Sequence, residues 1–147
     1  MKFVKHHYGP YADVLRHVLE RMDGHFITGY GAGENRPDTP IHILPEAVAE
    51  AERFLSNHAD TRARFDRVSA LINGFETPLG MELLATVHWV ATRETPQAAQ
   101  NPEVALTAVR AWNTRKAQVM QSEQVATAWR RLRGLGWLSE FHGASVA

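Results

Sequence analysis

Apolar residues recur along most of this chain at the three-to-four-residue spacing of one helix face. Tyr11, Val14, Leu15, Val18, Leu19 and Met22 form a first stripe, preceded by Gly9-Pro10 and closed by Gly24. Proline is well placed at a first helical position and glycine just beyond a helix end, so the spacing predicts a helix between them. Val48, Ala51, Phe54 and Leu55 make a second stripe after Pro45, and Phe65, Val68, Leu71 and Ile72 a third, opened by Asp60 or Thr61 and closed by Gly74. Thr77-Pro78 then starts a helix on which Leu83, Leu84, Val87, Val90 and Ala91 cover so much of the circumference that it belongs at the centre of a core. Pro96 and Pro102 separate it from a helix predicted over 103–120, with Val104, Ala108, Ala111, Trp112 and Val119 on one face. Ser122 caps a last helix, Glu123–Arg133, ended by Gly134.

One region breaks the helical period. His25–Tyr30 is rich in β-branched and aromatic residues, and Ile41–Leu44 answers it across a Gly/Pro loop, which predicts a β-hairpin near 25–44. The expected fold is mainly α with this small β-hairpin: a compact helical single domain over 1–147. Residues 1–8 are expected to be a mobile start, 9–93 a helical core carrying the hairpin, and 103–138 a winged-helix-like part.

A chain of 147 residues, 44% hydrophobic and 22% charged, fits one globular domain. With no cysteine, thiol nucleophiles, disulfides and cysteine-ligated metals are excluded, and a reducing cytoplasm is the expected location. No apolar run reaches the roughly 18 residues that span a bilayer, so no membrane role is expected. The formal charge is zero but unevenly spread. Residues 1–60 hold six basic and nine acidic side chains, a net −3, and residues 101–147 hold six basic and three acidic, a net +3.

Candidate chemistry is thin. None of the eight histidines has ligand spacing, so no metal is expected. His88 on its apolar helix reads as a hydrogen-bonded core residue rather than a catalyst, and Glu82, six residues earlier, lies on another face. Gly29-Tyr30-Gly31-Ala32-Gly33 lacks the lysine and hydroxyl of a phosphate loop, so no nucleotide cofactor is expected. No Gly-x-Ser-x-Gly elbow occurs. No catalytic residue is assigned, and the chain reads as non-enzymatic. The C-terminal third reads differently. Arg115 and Lys116 on one helix, a short turn, then Arg130, Arg131 and Arg133 on the next resemble a winged helix-turn-helix, whose second helix would enter a major groove. DNA binding by an autoregulator is therefore an alternative reading, although this geometry also serves protein contacts.

Three blocks carry a resemblance: Tyr8–Leu19, Gly24–Gly31 and the run Gly74-Phe75-Glu76-Thr77-Pro78 continuing to Ala91. Together, covering about Tyr8 to Leu138, they are similar to the C-terminal domain that follows a macrodomain in bacterial DNA ADP-ribosyl glycohydrolase antitoxins. That resemblance implies a toxin-neutralising module, whose partner is a DNA ADP-ribosyltransferase toxin. No Asn-Ala-Ala-Asn-like or Gly-Gly-Gly-Val-like macrodomain loop occurs in the sequence, so the macrodomain is expected to be absent. The toxin must hold single-stranded DNA in a basic groove with stacking positions, and a blocker would offer acidic groups and aromatics in their place. Asp23, His25, Phe26, Tyr30, Glu34 and Asp38, in and beside the hairpin loop, are the expected toxin interface.

Overall fold

A computed structural model describes residues 1–30 and 40–138. The order is β1 (Val4–His6), β2 (Gly9–Tyr11), α1 (Asp13–Met22), β3 (Ile27–Thr28), β4 (His42–Ile43), α2 (Pro45–Ser56), α3 (Ala59–Ile72), α4 (Pro78–Trp89), α5 (Pro102–Arg110), α6 (Thr114–Val119) and α7 (Ser122–Gly134). The mainly helical expectation holds, with β1–β2 and β3–β4 as two-stranded sheets. By contact density the chain divides into two compact units, Met1–Val4 with Tyr11–Arg67, and Lys5–Pro10 with Val68–Ala147.

In the first unit β3 and β4 pair antiparallel, Ile27 opposite Ile43 and Thr28 opposite His42, as the hairpin pattern predicts. Gly29 is required beside them: its φ is +100°, and an added Cβ would collide with the carbonyl of Pro40. Helix α1 starts later than expected, because Gly9-Pro10 is built into β2 and extended Ala12 precedes the first turn. On α2 the His58 ring stacks on Phe54, 3.9 Å between centroids, and Arg62 ties α3 to Glu52 at 3.1 Å. This unit buries little apolar surface. Among the described residues only Ala12, Ile27 and Ala47 are buried hydrophobics in it.

The second unit holds the core. Thr77 Oγ1 accepts from Gly80 N at 3.0 Å and Pro78 opens α4, so both predicted start signals act. Leu83, Leu84, Val87, Val90 and Ala91 are buried, with Val109, Met120, Val125, Trp129 and Leu132 around them. Each fully buried aliphatic side chain of this kind contributes about 1.5–3 kcal/mol. After Trp89 the helix widens into a π-turn over Val90–Glu94, closed by Thr95 N on Val90 O at 2.7 Å. Pro96 pushes Thr95 out of helical geometry, and Pro96–Ala99 continues as a 3₁₀ turn.

Three expectations need correction here. The helix predicted over 103–120 is two helices, because the Asn113 side chain turns inward to cap Lys116 N at 2.8 Å. Asn101 caps α5 in the same way. Ser122 does not cap α7: its hydroxyl accepts from Arg110, while the Gln124 side chain accepts from Gln121 N. Residues 6–8, expected within a mobile start, are tied down. The carbonyls of His6, His7 and Tyr8 accept from Trp112 Nε1 (2.9 Å), Asn113 Nδ2 (2.9 Å) and Lys116 Nζ (3.2 Å). Helices α5, α6 and α7 follow one another at the C-terminal end, three where two were expected, and no strand follows α7 among the described residues.

Candidate binding faces

The expected toxin-facing residues lie in the first unit. Asp23 follows α1 and its carboxylate accepts from Tyr30 N at 3.2 Å, which pins the strand end rather than leaving the charge free. His25 is exposed, Phe26 is 40% exposed, and Tyr30 is half-buried. Phe26 is therefore not a core strand residue; the inward position belongs to Ile27 beside it. Glu34 and Asp38 lie outside the described residues. Around Phe26 the unit also exposes Ile41 and Ile43, and its helices expose Val14, Val18, Val48, Phe54 and Phe65. Ile43 is 68% exposed, Phe54 53% and Phe65 58%. Many large apolar side chains of this unit therefore face solvent rather than a core of its own. Sequence reasoning missed these helix residues, since an amphipathic stripe looks the same whether it meets its own core or another molecule.

The basic residues of the alternative nucleic-acid face go to internal partners. Lys116 is fully buried: its ammonium meets Glu82 Oε1 at 2.5 Å, Thr86 Oγ1 at 3.0 Å and the carbonyl of Tyr8. Arg115 forks onto the same carboxylate at 2.6 and 3.1 Å and lies over the Tyr8 ring, 4.8 Å from its centroid. Burial alone would push the Glu82 carboxyl up, but hydrogen bonds from Arg115 and Lys116, with their charges, hold it below the ordinary value. Arg131 donates to Ala70 O and Asn73 O, at 3.0 and 2.9 Å, where α3 ends. Arg133 donates to Ala99 O at 3.0 Å and lies over Trp129. Arg130 is exposed, with contacts only on its own helix, to Glu123 and Thr127 at 3.4 and 3.1 Å. The five cations thus do not form one open stripe, the footprint that DNA binding calls for.

His88 lies on α4 at an apolar cavity, and its Nε2 is buried with no hydrogen-bond partner among the described residues. The expected hydrogen-bonded core histidine is corrected in that respect. Burial, and secondarily the charge of Arg93, hold its pKa below the ordinary 6.5. Among the described residues no three His, Asp or Glu side chains gather as metal ligands, and no helix is long and apolar enough to cross a membrane.

No protein-family model matches the chain. It is 38% identical over 141 residues to the DNA ADP-ribosyl glycohydrolases of Mycobacterium tuberculosis and Mycobacterium bovis, an alignment covering 90% of this chain. The DNA ADP-ribosyl glycohydrolase of Thermus aquaticus is 38% identical over 117 residues, 80% of this chain. The chain spans 38% of the length of the two mycobacterial relatives and 31% of the Thermus one. The expectation of a non-enzymatic chain is thereby overturned, because relatives matching nearly all of it bear an enzyme's name. That expectation rested on missing motifs, and a missing motif is weak ground in a chain that matches a minor share of each relative. Over most of its own length, this sequence is similar to bacterial DNA ADP-ribosyl glycohydrolases.

Proposed function

We propose that this chain works in DNA ADP-ribosylation, as the part of a DNA ADP-ribosyl glycohydrolase antitoxin that grips and blocks a DNA ADP-ribosyltransferase. Reversal of the modification, the activity named for its relatives, and restraint of the modifying enzyme would then act on the same lesion. The observation that carries the binding role is the first unit's apolar exposure, with Phe26, Ile43, Phe54 and Phe65 unburied on a scaffold that keeps little core for itself. The acidic excess of residues 1–60 suits a partner whose own site must attract DNA phosphates.

Coexpression with the transferase tests this directly, reading cell survival and co-purification together, and the chain is assayed separately on ADP-ribosylated DNA. Rescue with a stoichiometric complex supports blocking by contact. Rescue without a complex, accompanied by release of ADP-ribose, assigns the effect to glycohydrolase activity and sinks the binding role. Neither rescue nor complex, with the chain folded, removes both.

A further inference from the structure

One helix is covered on no side. Every residue of α3 from Ala59 to Ala70 is exposed, so over about three turns no face of it meets a core. Among the described residues no other element runs along it. The contacts its side chains do make there are polar. Arg62 reaches Glu52 at 3.1 Å and Asp66, one turn on, at 3.4 Å, and Arg67 is engaged as well. Solvent-exposed ion pairs of this kind stabilise little, and in the Arg62–Asp66 pair the base precedes the acid, the weaker order on a helix. The last turn differs: Arg131 donates to the carbonyls of Ala70 and Asn73, and Leu71 and Ile72 are half-buried.

A helix of 14 residues without tertiary cover is marginal in water, because packing of an apolar face supplies most helix stability in proteins. Thr61, Phe65, Asp66, Val68 and Ser69 are also middling helix formers at best. The anchored last turn supplies a nucleus, from which the helix extends toward Ala59 and frays with distance. Phe65 lies in the middle of the uncovered stretch, 58% exposed, and a partner covering it would add the apolar contact the chain itself withholds. We infer that residues 59–70 exchange between helix and coil in the free chain, and that the transferase completes the helix by docking on Phe65. Capture and local folding are then one event. The inference rests on the gripping role proposed above and adds a cost to it, since affinity is reduced by the fraction of chains not already helical.

Amide hydrogen exchange, read by mass spectrometry on the free chain and on the chain with the transferase, tests this. In the free chain residues 59–70 should exchange within about tenfold of an unstructured peptide's rate, slowing toward Leu71, while α4 and α7 exchange at least about a thousandfold slower. With the transferase the amides of 59–70 should slow at least about a hundredfold. Ala63→Gly removes only an exposed methyl but lowers helix propensity, so capture should weaken about fivefold. The urea midpoint read on the tryptophans, all four in the second unit, should not move. Residues 59–70 protected like α4 in the free chain, or capture unmoved by Ala63→Gly, overturns the inference. A stoichiometric complex in which these amides still exchange freely overturns it while sparing the gripping role. No complex at all removes both.

Discussion

Glu82 and Lys116, thirty-four residues apart in the chain, meet at 2.5 Å with the lysine side chain wholly shielded from solvent. The pair is asymmetric. Glu82 has a second cation in Arg115, whereas Glu82 is the only acid bonded to Lys116 among the described residues. Glu82→Gln strands a buried ammonium and should cost about 3–5 kcal/mol. Lys116→Met leaves the carboxylate forked on Arg115 and fills the space with hydrocarbon, so its cost should stay below about 2 kcal/mol. Urea midpoints of the two variants check the ordering; a Lys116→Met cost equal to that of Glu82→Gln would refute it.

Acid should loosen the fold in two separate windows. His88 has a folded pKa below 6.5, so the unfolded chain takes up this proton more readily. Stability should fall as pH drops from about 6.5 toward the folded value, with the full loss present below it. Glu82 is held below 4.5, so its contribution is complete above that value and disappears as pH falls through the lowered pKa. Thermal midpoints recorded across both windows should show the upper slope vanish in His88→Leu and the lower one in Glu82→Gln.

Gly80→Ala sets helix propensity against a collision. Alanine favours a helix interior by about 1 kcal/mol, yet its Cβ would stand 2.6 Å from the Phe75 carbonyl oxygen and 3.0 Å from the carbon atoms beside it. Those atoms are backbone, with no rotamer to move aside. The net effect should be a loss of about 1–3 kcal/mol, the usual range for overpacking. A higher melting temperature would contradict this reading.

The three arginines of α7 should separate cleanly. Arg131→Ala removes donors from the carbonyls that end α3 and should cost about 1–3 kcal/mol. Arg130→Ala should stay within about 0.5 kcal/mol. A triple substitution would therefore confound any test of DNA binding with instability. Arg130→Ala alone, assayed by salt-dependent DNA retention, is the informative variant.

Ile43→Ser and Phe54→Ser should leave the denaturation midpoint within about 0.5 kcal/mol, since both side chains face solvent. If the first unit grips the transferase, each should lower capture of that enzyme at least about tenfold, the weight of a hot-spot residue. Unchanged capture would move the interface elsewhere.

The core was legible because its signals are local. Thr77-Pro78 and the apolar density from Leu83 to Ala91 placed the central helix, and β-branched residues around Ile27 and Ile43 placed the hairpin. What escaped depends on long-range partners. Lys116 sits in a stretch, Thr114-Arg115-Lys116, that reads as solvated, and nothing beside it announces a carboxylate on another helix. The break at Asn113 was hidden because apolar spacing looks helical on both sides of it. Val14 and Val18 give as clean a stripe as Leu83 and Val87, yet stay exposed, because periodicity records a face without saying what covers it. The orphaned nitrogen of His88 was illegible for the same reason: its cavity takes walls from three helices.

The ties at His6, His7 and Tyr8 join the opening of the chain to residues more than a hundred positions later. Synthesis runs from one end, so these carbonyls emerge from the ribosome long before Trp112, Asn113 and Lys116 exist to receive them. Glu82 likewise waits for both of its cations. The second unit can therefore close only after Lys116 has been made. Its folding rate should be governed by this single long loop closure rather than by its quickly formed helices.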